Sequence, residues 1–304
     1  MPNVTVAIST YNRASLVREA LESVFAQTYS DYDVVVVDNG STDDTREALR
    51  PFEDRIRYVQ QENRGRAGGR NRAIELATGR FVAFLDSDDL WLPDKLERQL
   101  PLLEANARVG LVHGHTEAID EQGNLLPEET TRLRALFDAA HLRPVTYAGY
   151  VLECLCLTSP IVVRREAFDR VGAYDPAVGL EDLDLYLRVL REYDVVFLGG
   201  APLARYRLHE SQTPNEELAQ GRIDAMHKHL ELIETGPPLP DKRLARRNLL
   251  LALGDAHNVL RDGRAARHHT LAAVRLDPSL LLDRRVVRRL AVSVLPGRTR
   301  RGRA

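Results

Sequence analysis

Short apolar runs alternate with amphipathic stretches along the first hundred residues, and that alternation leaves the chain few folds to choose from. Val4-Thr5-Val6-Ala7-Ile8, Val34-Val35-Val36-Val37, Ile56 to Gln60 and Phe81-Val82-Ala83-Phe84-Leu85 have the length and content of strands. Between the first two, Leu16, Val17, Ala20, Leu21, Val24 and Phe25 recur at helical spacing. Further helices are predicted near Thr45 to Leu49 and from Asn71 through Leu76, where Thr78-Gly79 closes the element. Strand and helix units of about 25 to 30 residues predict a doubly wound, mostly parallel α/β sheet.

Sheets of this kind bind ligands outside the carboxyl ends of their strands. Here those ends carry Thr10-Tyr11, Asp38 and Asp86-Ser87-Asp88-Asp89, so polar groups converge at the expected mouth. Three aspartates within four positions repel one another and need solvent or a cation to offset the charge. Mg2+ or Mn2+ carrying substrate phosphates fits such a cluster. The alternative is a solvated loop whose aspartates cap a helix begun by Pro93. No G-x-x-x-x-G-K-[ST] occurs, and Gly65-Arg66-Ala67-Gly68-Gly69 lacks G-x-G-x-x-G, so a P-loop is excluded and a dinucleotide site disfavoured.

The 304 residues allow one α/β domain with an appendage, or two domains. A formal net charge of −2 argues against a general nucleic-acid binder, which needs a basic field. Cys154 and Cys156, one residue apart on an expected strand, are read as reduced core thiols of a reducing compartment. No run approaches the roughly 18 apolar residues of a membrane span. Met1-Pro2-Asn3 opens no signal peptide, so the expected location is cytoplasmic.

Beyond the aspartates, Trp91 and Pro93 lead a predicted helix to about Asn106, and Val109 to His113 is a strand. His113 and His115 would share its face as structural residues. Gln122-Gly123-Asn124 marks a turn into less regular structure. Glu128 to Arg143 reads as helical or mobile, and Tyr147 to Leu157 and Ile161 to Val163 as apolar segments. Gly179-Leu180-Glu181-Asp182-Leu183-Asp184 opens a helix through Arg191, with acids in its first turn. Val195 to Leu198 and Leu203 to Arg207 are short strands.

Leu218 to Glu234 is an amphipathic helix, and Thr235-Gly236-Pro237-Pro238-Leu239-Pro240 is the best linker candidate. The expected division is therefore 1–235, with halves at about 1–113 and 114–235, and 236–304. Leu244 to Leu260 and Ala265 to Leu276 form a helical hairpin similar to one tetratricopeptide-type unit, which must cover its faces on another element or a partner chain. A homodimer through these helices is one way to do so. From Leu280 to Ala304 eight arginines face a single acid, Asp283, among interleaved leucines and valines. That basic amphipathic segment suits the inner face of an anionic membrane, and the alternative is a solvated helix with a disordered tail.

Six short motifs stand in order: Ser9-Thr10-Tyr11-Asn12-Arg13, Val36-Val37-Asp38-Asn39-Gly40-Ser41-Thr42-Asp43, Asn63-Arg64-Gly65 with Arg70-Asn71, Phe84-Leu85-Asp86-Ser87-Asp88-Asp89, Glu181-Asp182, and Tyr206-Arg207-Leu208-His209. Over roughly residues 3 to 212 the set resembles the family 2 glycosyltransferases of the GT-A fold. The resemblance implies a Rossmann-like, mostly parallel sheet flanked by helices, here with a C-terminal helical extension. It implies an inverting, non-processive transferase that moves a sugar from a nucleoside diphosphate to a hydroxyl acceptor. The donor would be a UDP- or dTDP-sugar, the acceptor a glycan or lipid-linked hydroxyl.

The same resemblance assigns roles. Thr10, Tyr11, Asn12, Arg13, Asp38, Asn63, Gly65, Arg70, Asp86, Ser87, Asp88, Trp91 and Glu181 would bind the nucleotide sugar. Asp38 would accept from a base N–H, or else simply cap the next helix. Arg70 would suit phosphate or base edges, or form a solvated basic face with Arg66. Asp86 and Asp88, with His209, would hold ribose and an Mg2+ or Mn2+ ion, unless His209 is an ordinary loop residue. Trp91 would wall the sugar pocket or sit in the core. Asp182 would be the general base, with Glu181 or Asp184 as alternatives.

Gly69 departs from the alanine that usually precedes the Arg-Asn pair, a minor change. The absence of Q-x-x-R-W after Asp182 argues against a processive polysaccharide synthase. A nucleotidyltransferase would carry an early glycine-rich loop, which Ser9 to Arg13 does not offer. The remaining rival is an inactive sugar-nucleotide-binding or scaffold subunit.

Overall fold

A computed structural model describes residues 2–140, 145–153, 157–210 and 212–293. Cys154, Cys156 and the arginines at 298, 300, 301 and 303 lie outside the described residues. In chain order the elements are β1 (Val4–Thr10), α1 (Ala14–Phe25), β2 (Tyr32–Asp38), α2 (Thr45–Leu49), β3 (Arg57–Gln60), α3 (Gly65–Leu76), β4 (Phe81–Asp86) and β5 (Leu90–Trp91). Then come α4 (Lys95–Ala105), β6 (Val109–Gly114), β7 (Thr116–Ile119), α5 (Pro127–Ala140), α6 (Tyr147–Glu153), β8 (Val162–Arg164) and α7 (Arg165–Val171). The last are α8 (Glu181–Glu192), β9 (Asp194–Leu198), β10 (Ala204–Arg207), α9 (Asn215–Thr235), α10 (Lys242–Val259), α11 (Gly263–Leu276) and α12 (Arg284–Val292).

The chain divides into two compact units. The first holds Met1–Val145, Leu155–Pro176 and Asp184–Gln212, and the second Thr146–Cys154, Ala177–Leu183 and Thr213–Ala304. The proline-rich stretch after Thr235 therefore joins α9 to α10 inside the second unit, and the division falls before α9.

The first unit is built on a seven-stranded sheet of order β3-β2-β1-β4-β8-β6-β9, with β8 antiparallel to both neighbours and the other pairs parallel. Strands β1 and β4 sit at its centre, and their apolar side chains are buried on both faces, as continuous apolar runs demand. Helix α1 turns Val17, Ala20, Leu21 and Val24 into the same core. The parallel registers align the strand ends: Thr10 stands beside Asp38, and Ser9 beside Asp86. A second sheet, β5-β10-β7, pairs Trp91 with Ala204 and so carries the segment after β10 toward the aspartates.

One expectation changes here. Trp91 lies in a strand, and its helix starts later, at Lys95. Tyr147–Glu153, read only as part of an apolar segment, is a helix. His113 and His115 are buried among Phe137 and Phe197, consistent with a structural role.

In the second unit α10 packs against α9, α11 and α6, burying Leu251, Ala273, Leu280 and Val286 with Leu152 alongside. Asn248 donates from Nδ2 to the carbonyl of Ala148 at 2.7 Å, and Arg222 from Nη2 to that of Val151 at 2.9 Å. The Arg222 bond satisfies a carbonyl in the last turn of α6 that the helix's own ladder leaves open. The hairpin α10–α11 thus covers one face within its own unit. Among the described residues no helix is long and apolar enough to cross a membrane.

Candidate active site

The carboxyl rim of the first unit's sheet gathers the acidic cluster, two arginines and a histidine. Asp86 ends β4, and its Oδ1 accepts from Arg70 Nη2 at 2.7 Å. Asp88 forms an ion pair with Arg13, and its Oδ2 lies 2.9 Å from His209 Nε2. Arg70 reaches Asp86 from the first turns of α3 while the next residue, Asn71, exchanges hydrogen bonds with the backbone of Tyr174, both at 2.8 Å. Those bonds fix the helix against the loop, so Arg70 is buried and paired rather than part of a solvated basic face.

Gly69 has a specific reason. A Cβ built there would fall 2.0 Å from Ser9 Oγ on β1, so glycine lets α3 press onto the strand end beside Asp86. The change from alanine, expected to be minor, is a close-packing requirement unless Ser9 turns away.

Asp89 plays a different part from its neighbours. Ser159 Oγ donates to its Oδ2 at 2.5 Å and the Arg207 backbone N–H to its Oδ1 at 2.9 Å. Burial, with Asp88 and Asp86 adding like charge, pushes its carboxyl well above the usual carboxylate range. Arg207, 1 % exposed, donates to the carbonyls of Asp88 and Glu121 and pairs with Glu19 at 2.7 Å. This buried guanidinium holds the acidic turn from beneath and delivers His209 to Asp88. Sequence reasoning passed over Asp89 and Arg207; the signal was there, in an aspartate too close to two others and an arginine inside the Tyr206 to His209 motif.

The loop after β2 is equally organised. Asp38 is fully buried, accepting from Ser41 N–H and Tyr58 O–H, both at 2.8 Å. Burial and the Asp38 carboxylate push the Tyr58 hydroxyl up to about 12, so it stays a donor. Asn39 bonds to Asn63, Gly65, Gln61 and Arg64, joining the β2 loop to the start of α3. Asn12, in the left-handed region at φ 52°, bridges to Ser41 and Thr42. Tyr11 is exposed, Ser87 is buried, and the buried Thr10 Oγ1 makes no hydrogen bond among the described residues. Beyond the ends of β2 and β3 opens a shallow concavity of about 540 Å³, lined by Gly40, Ser41, Gln60, Gln61, Glu62 and Asn63.

The register therefore brings Thr10, Arg13, Asp38, Arg70, Asp86, Asp88 and His209 to one rim. Trp91 does not wall it: 3 % exposed, it sits in the core with Nε1 donating to the Ser159 carbonyl at 2.8 Å. Glu181 and Asp182 belong to the second unit, where they open α8 with Glu181 buried. Asp184 is fully buried against Arg188 at 2.8 Å, and Arg188 also holds the carbonyls of Val171, Gly172 and Ala173. That lock makes Asp184 a structural acid and removes it as the alternative base.

Residues 5–157 match the family model described as glycosyl transferase family 2. The chain belongs to that family. TuaG of Bacillus subtilis (strain 168), provisionally described as a teichuronic acid biosynthesis glycosyltransferase, is 43% identical over 76% of this chain and 89% of its own length. The Escherichia coli enzyme WfgD, named a UDP-Glc:alpha-D-GlcNAc-diphosphoundecaprenol beta-1,3-glucosyltransferase, is 30% identical over 71% of the chain and 81% of its own. The uncharacterized glycosyltransferase alr2836 of Nostoc sp. (strain PCC 7120 / SAG 25.82 / UTEX 2576) is 36% identical over 57% of the chain. The match spans only 54% of that relative's length. Among solved structures, the mannosyltransferase PcManGT from Pyrobaculum calidifontis, in complex with GDP-Man and Mn2+, superposes with a TM-score of 0.65. That match has 24% identity over 96% of this chain and 84% of that one, and it shows the shared fold.

In this family 2 chain the donor set at the rim suits a hard divalent ion. Asp88 and His209 offer an oxygen and a nitrogen 2.9 Å apart, with Asp86 two residues away. Asp86 itself is turned to Arg70, so the protein supplies few ligands. Mg2+ and Mn2+ accept that, since such ions take one or two carboxylates and complete their shell with phosphate oxygens and water.

Proposed function

We propose that the chain transfers a sugar from a nucleoside diphosphate to a hydroxyl acceptor by a single inverting displacement. The observation that carries this reading is the meeting of Asp86, Asp88, Arg13, Arg70 and His209 at one strand-end rim. In the donor-free chain Arg13 and Arg70 neutralise Asp88 and Asp86, and both are suited to turn toward phosphate oxygens, which a guanidinium can meet with two donors. A bound Mg2+ or Mn2+ ion, held by Asp88 and His209 with Asp86 close by, would act as a Lewis acid that offsets charge on the leaving diphosphate. Asp38, fixed by Tyr58, accepts from the base of the nucleotide. Asp182 takes the proton from the acceptor hydroxyl as it attacks the anomeric carbon.

The acceptor class we favour is a lipid-linked one. The E. coli relative is named for a diphosphoundecaprenol-linked acceptor. In this chain Leu282 is 87% exposed beside the exposed Arg284, Arg285 and Arg288. A basic amphipathic segment of this sort is drawn to anionic membrane surfaces, where such an acceptor resides.

Thermal shift against a panel of UDP-, dTDP- and GDP-sugars, with and without Mn2+, tests the reading. Ligand linkage predicts that one donor class raises Tm and that Mn2+ enlarges the rise. No shift with any nucleotide sugar would overturn it.

A further inference from the structure

The second unit carries a group of imidazoles that sugar transfer does not use. His227 on α9, His257 on α10 and His269 on α11 each present a ring nitrogen, and the three nitrogens lie within 4.8 Å of one another. The rings of His257 and His269 stack, 5.3 Å between centroids and 10° between planes, and that of His227 stands 5.7 Å from His269. Nothing in helix packing requires three histidines from three helices to meet. Apolar side chains would fill the same seam at lower cost, because a buried ring nitrogen without a partner is penalised. Nδ1 of His269 is such an atom, buried and without a hydrogen bond among the described residues.

We infer that His227, His257 and His269 form a binding site for a first-row transition-metal ion, with Zn2+ the best match. Imidazole nitrogens suit zinc, copper and nickel, whereas Mg2+ prefers the oxygen ligands of the sheet rim. With Zn–N bonds of about 2.0–2.1 Å, a tetrahedral ion sets its ligand nitrogens about 3.4 Å apart. His227 is exposed, so its ring is the one with most room to adjust to that spacing. Asp262, whose Oδ2 lies 3.8 Å from His257 Nδ1, and His268, whose ring centroid lies 5.2 Å from that of His269, stand beside the cluster. The bound ion ties α9, α10 and α11 together, and the assignment is independent of the sugar-transfer reading.

Equilibrium dialysis of the full chain against Zn2+, with Mg2+ in excess to occupy carboxylate sites, tests it. The wild type and Asp88→Asn are expected to retain one zinc per chain. His269→Gln and the surface variant His227→Gln should each bind more than about 10-fold more weakly, a loss that even outer-shell partners produce in other zinc sites. Zinc K-edge absorption of the loaded wild type should report imidazole nitrogen ligands. Failure of the wild type to retain zinc, equal retention by both histidine variants, or loss of zinc in Asp88→Asn would overturn the site.

Discussion

Arg70 Nη2 and Asp86 Oδ1 face each other at 2.7 Å across the rim of the sheet, with side chains 10% and 32% exposed. The pair holds the acidic turn in place, and it joins α3 to the end of β4.

Arg70→Leu leaves Asp86 without its counter-charge. Breaking a fully buried pair costs about 3–5 kcal/mol, and the partial exposure of Asp86 lowers the expected loss to about 2 kcal/mol. Urea unfolding should show that loss, and binding of the nucleotide sugar should weaken with it. Arg70→Lys keeps the charge without the planar fork and should fall between the two.

Tyr58→Phe removes the donor that the half-buried Tyr58 offers to the buried Asp38 Oδ2. The expected cost is about 1–2 kcal/mol, seen as a Tm drop of a few degrees. Nucleotide affinity should fall as well, because Asp38 loses its orientation. An unchanged Tm would show that Tyr58 does not hold Asp38.

Lys95 gives the pH dependence a definite sign. Burial holds its ammonium well below the usual 10.5, although the Trp91 ring lies 4.1 Å from Nζ and favours the charged form. A desolvated cation–π contact contributes about 2 kcal/mol or somewhat more, still less than burying an isolated ammonium costs. The unfolded chain therefore binds the extra proton, and this group's contribution to stability rises with pH until the unfolded value near 10.5 is passed. Lys95→Met should raise Tm at neutral pH and flatten the rise between neutral pH and pH 10. A destabilised Lys95→Met with an unchanged pH profile would contradict this.

The parallel core was legible in the sequence because β1, β2 and β4 are buried on both faces and so read as continuous apolar runs. The rim was legible too, since Asp38 and Asp86 end those strands and the register aligns them. Trp91 was not, because a single aromatic after an acidic turn looks alike whether it lines a pocket or fills a core. Arg207 and Asp89 were hidden for another reason. The two bond to each other across 118 residues of sequence, and no local periodicity announces a buried arginine that caps carbonyls. The place of α9 with the C-terminal helices was equally invisible, as prolines mark a turn and not a domain edge.

Gly221 packs against Gly179 and Leu180, the turn that leads into α8 and Asp182. Glycine inside a helix ordinarily costs about 1 kcal/mol relative to alanine, so Gly221→Ala should stabilise on propensity alone. A Cβ there would lie 2.6 Å from the carbonyl carbon of Gly179 and the nitrogen of Leu180, and that backbone must move. We expect a net loss of about 1–3 kcal/mol, the range for overpacking. Turnover should fall through displacement of Asp182 while donor affinity survives, the pattern that Asp182→Asn itself should give in transfer assays. Unchanged transfer by Asp182→Asn would remove it from the role of base.

Isothermal titration of the full chain with UDP and with Mn2+, alone and together, and of Asp88→Asn in parallel, reads most directly whether the acidic rim grips a cation and a diphosphate as one. The account predicts that each ligand tightens the other in the wild type by about 10-fold or more, about 1.4 kcal/mol of coupling. In Asp88→Asn the coupling should vanish while the fold persists. Equal coupling in both proteins, or no binding of either ligand to the wild type, would contradict it.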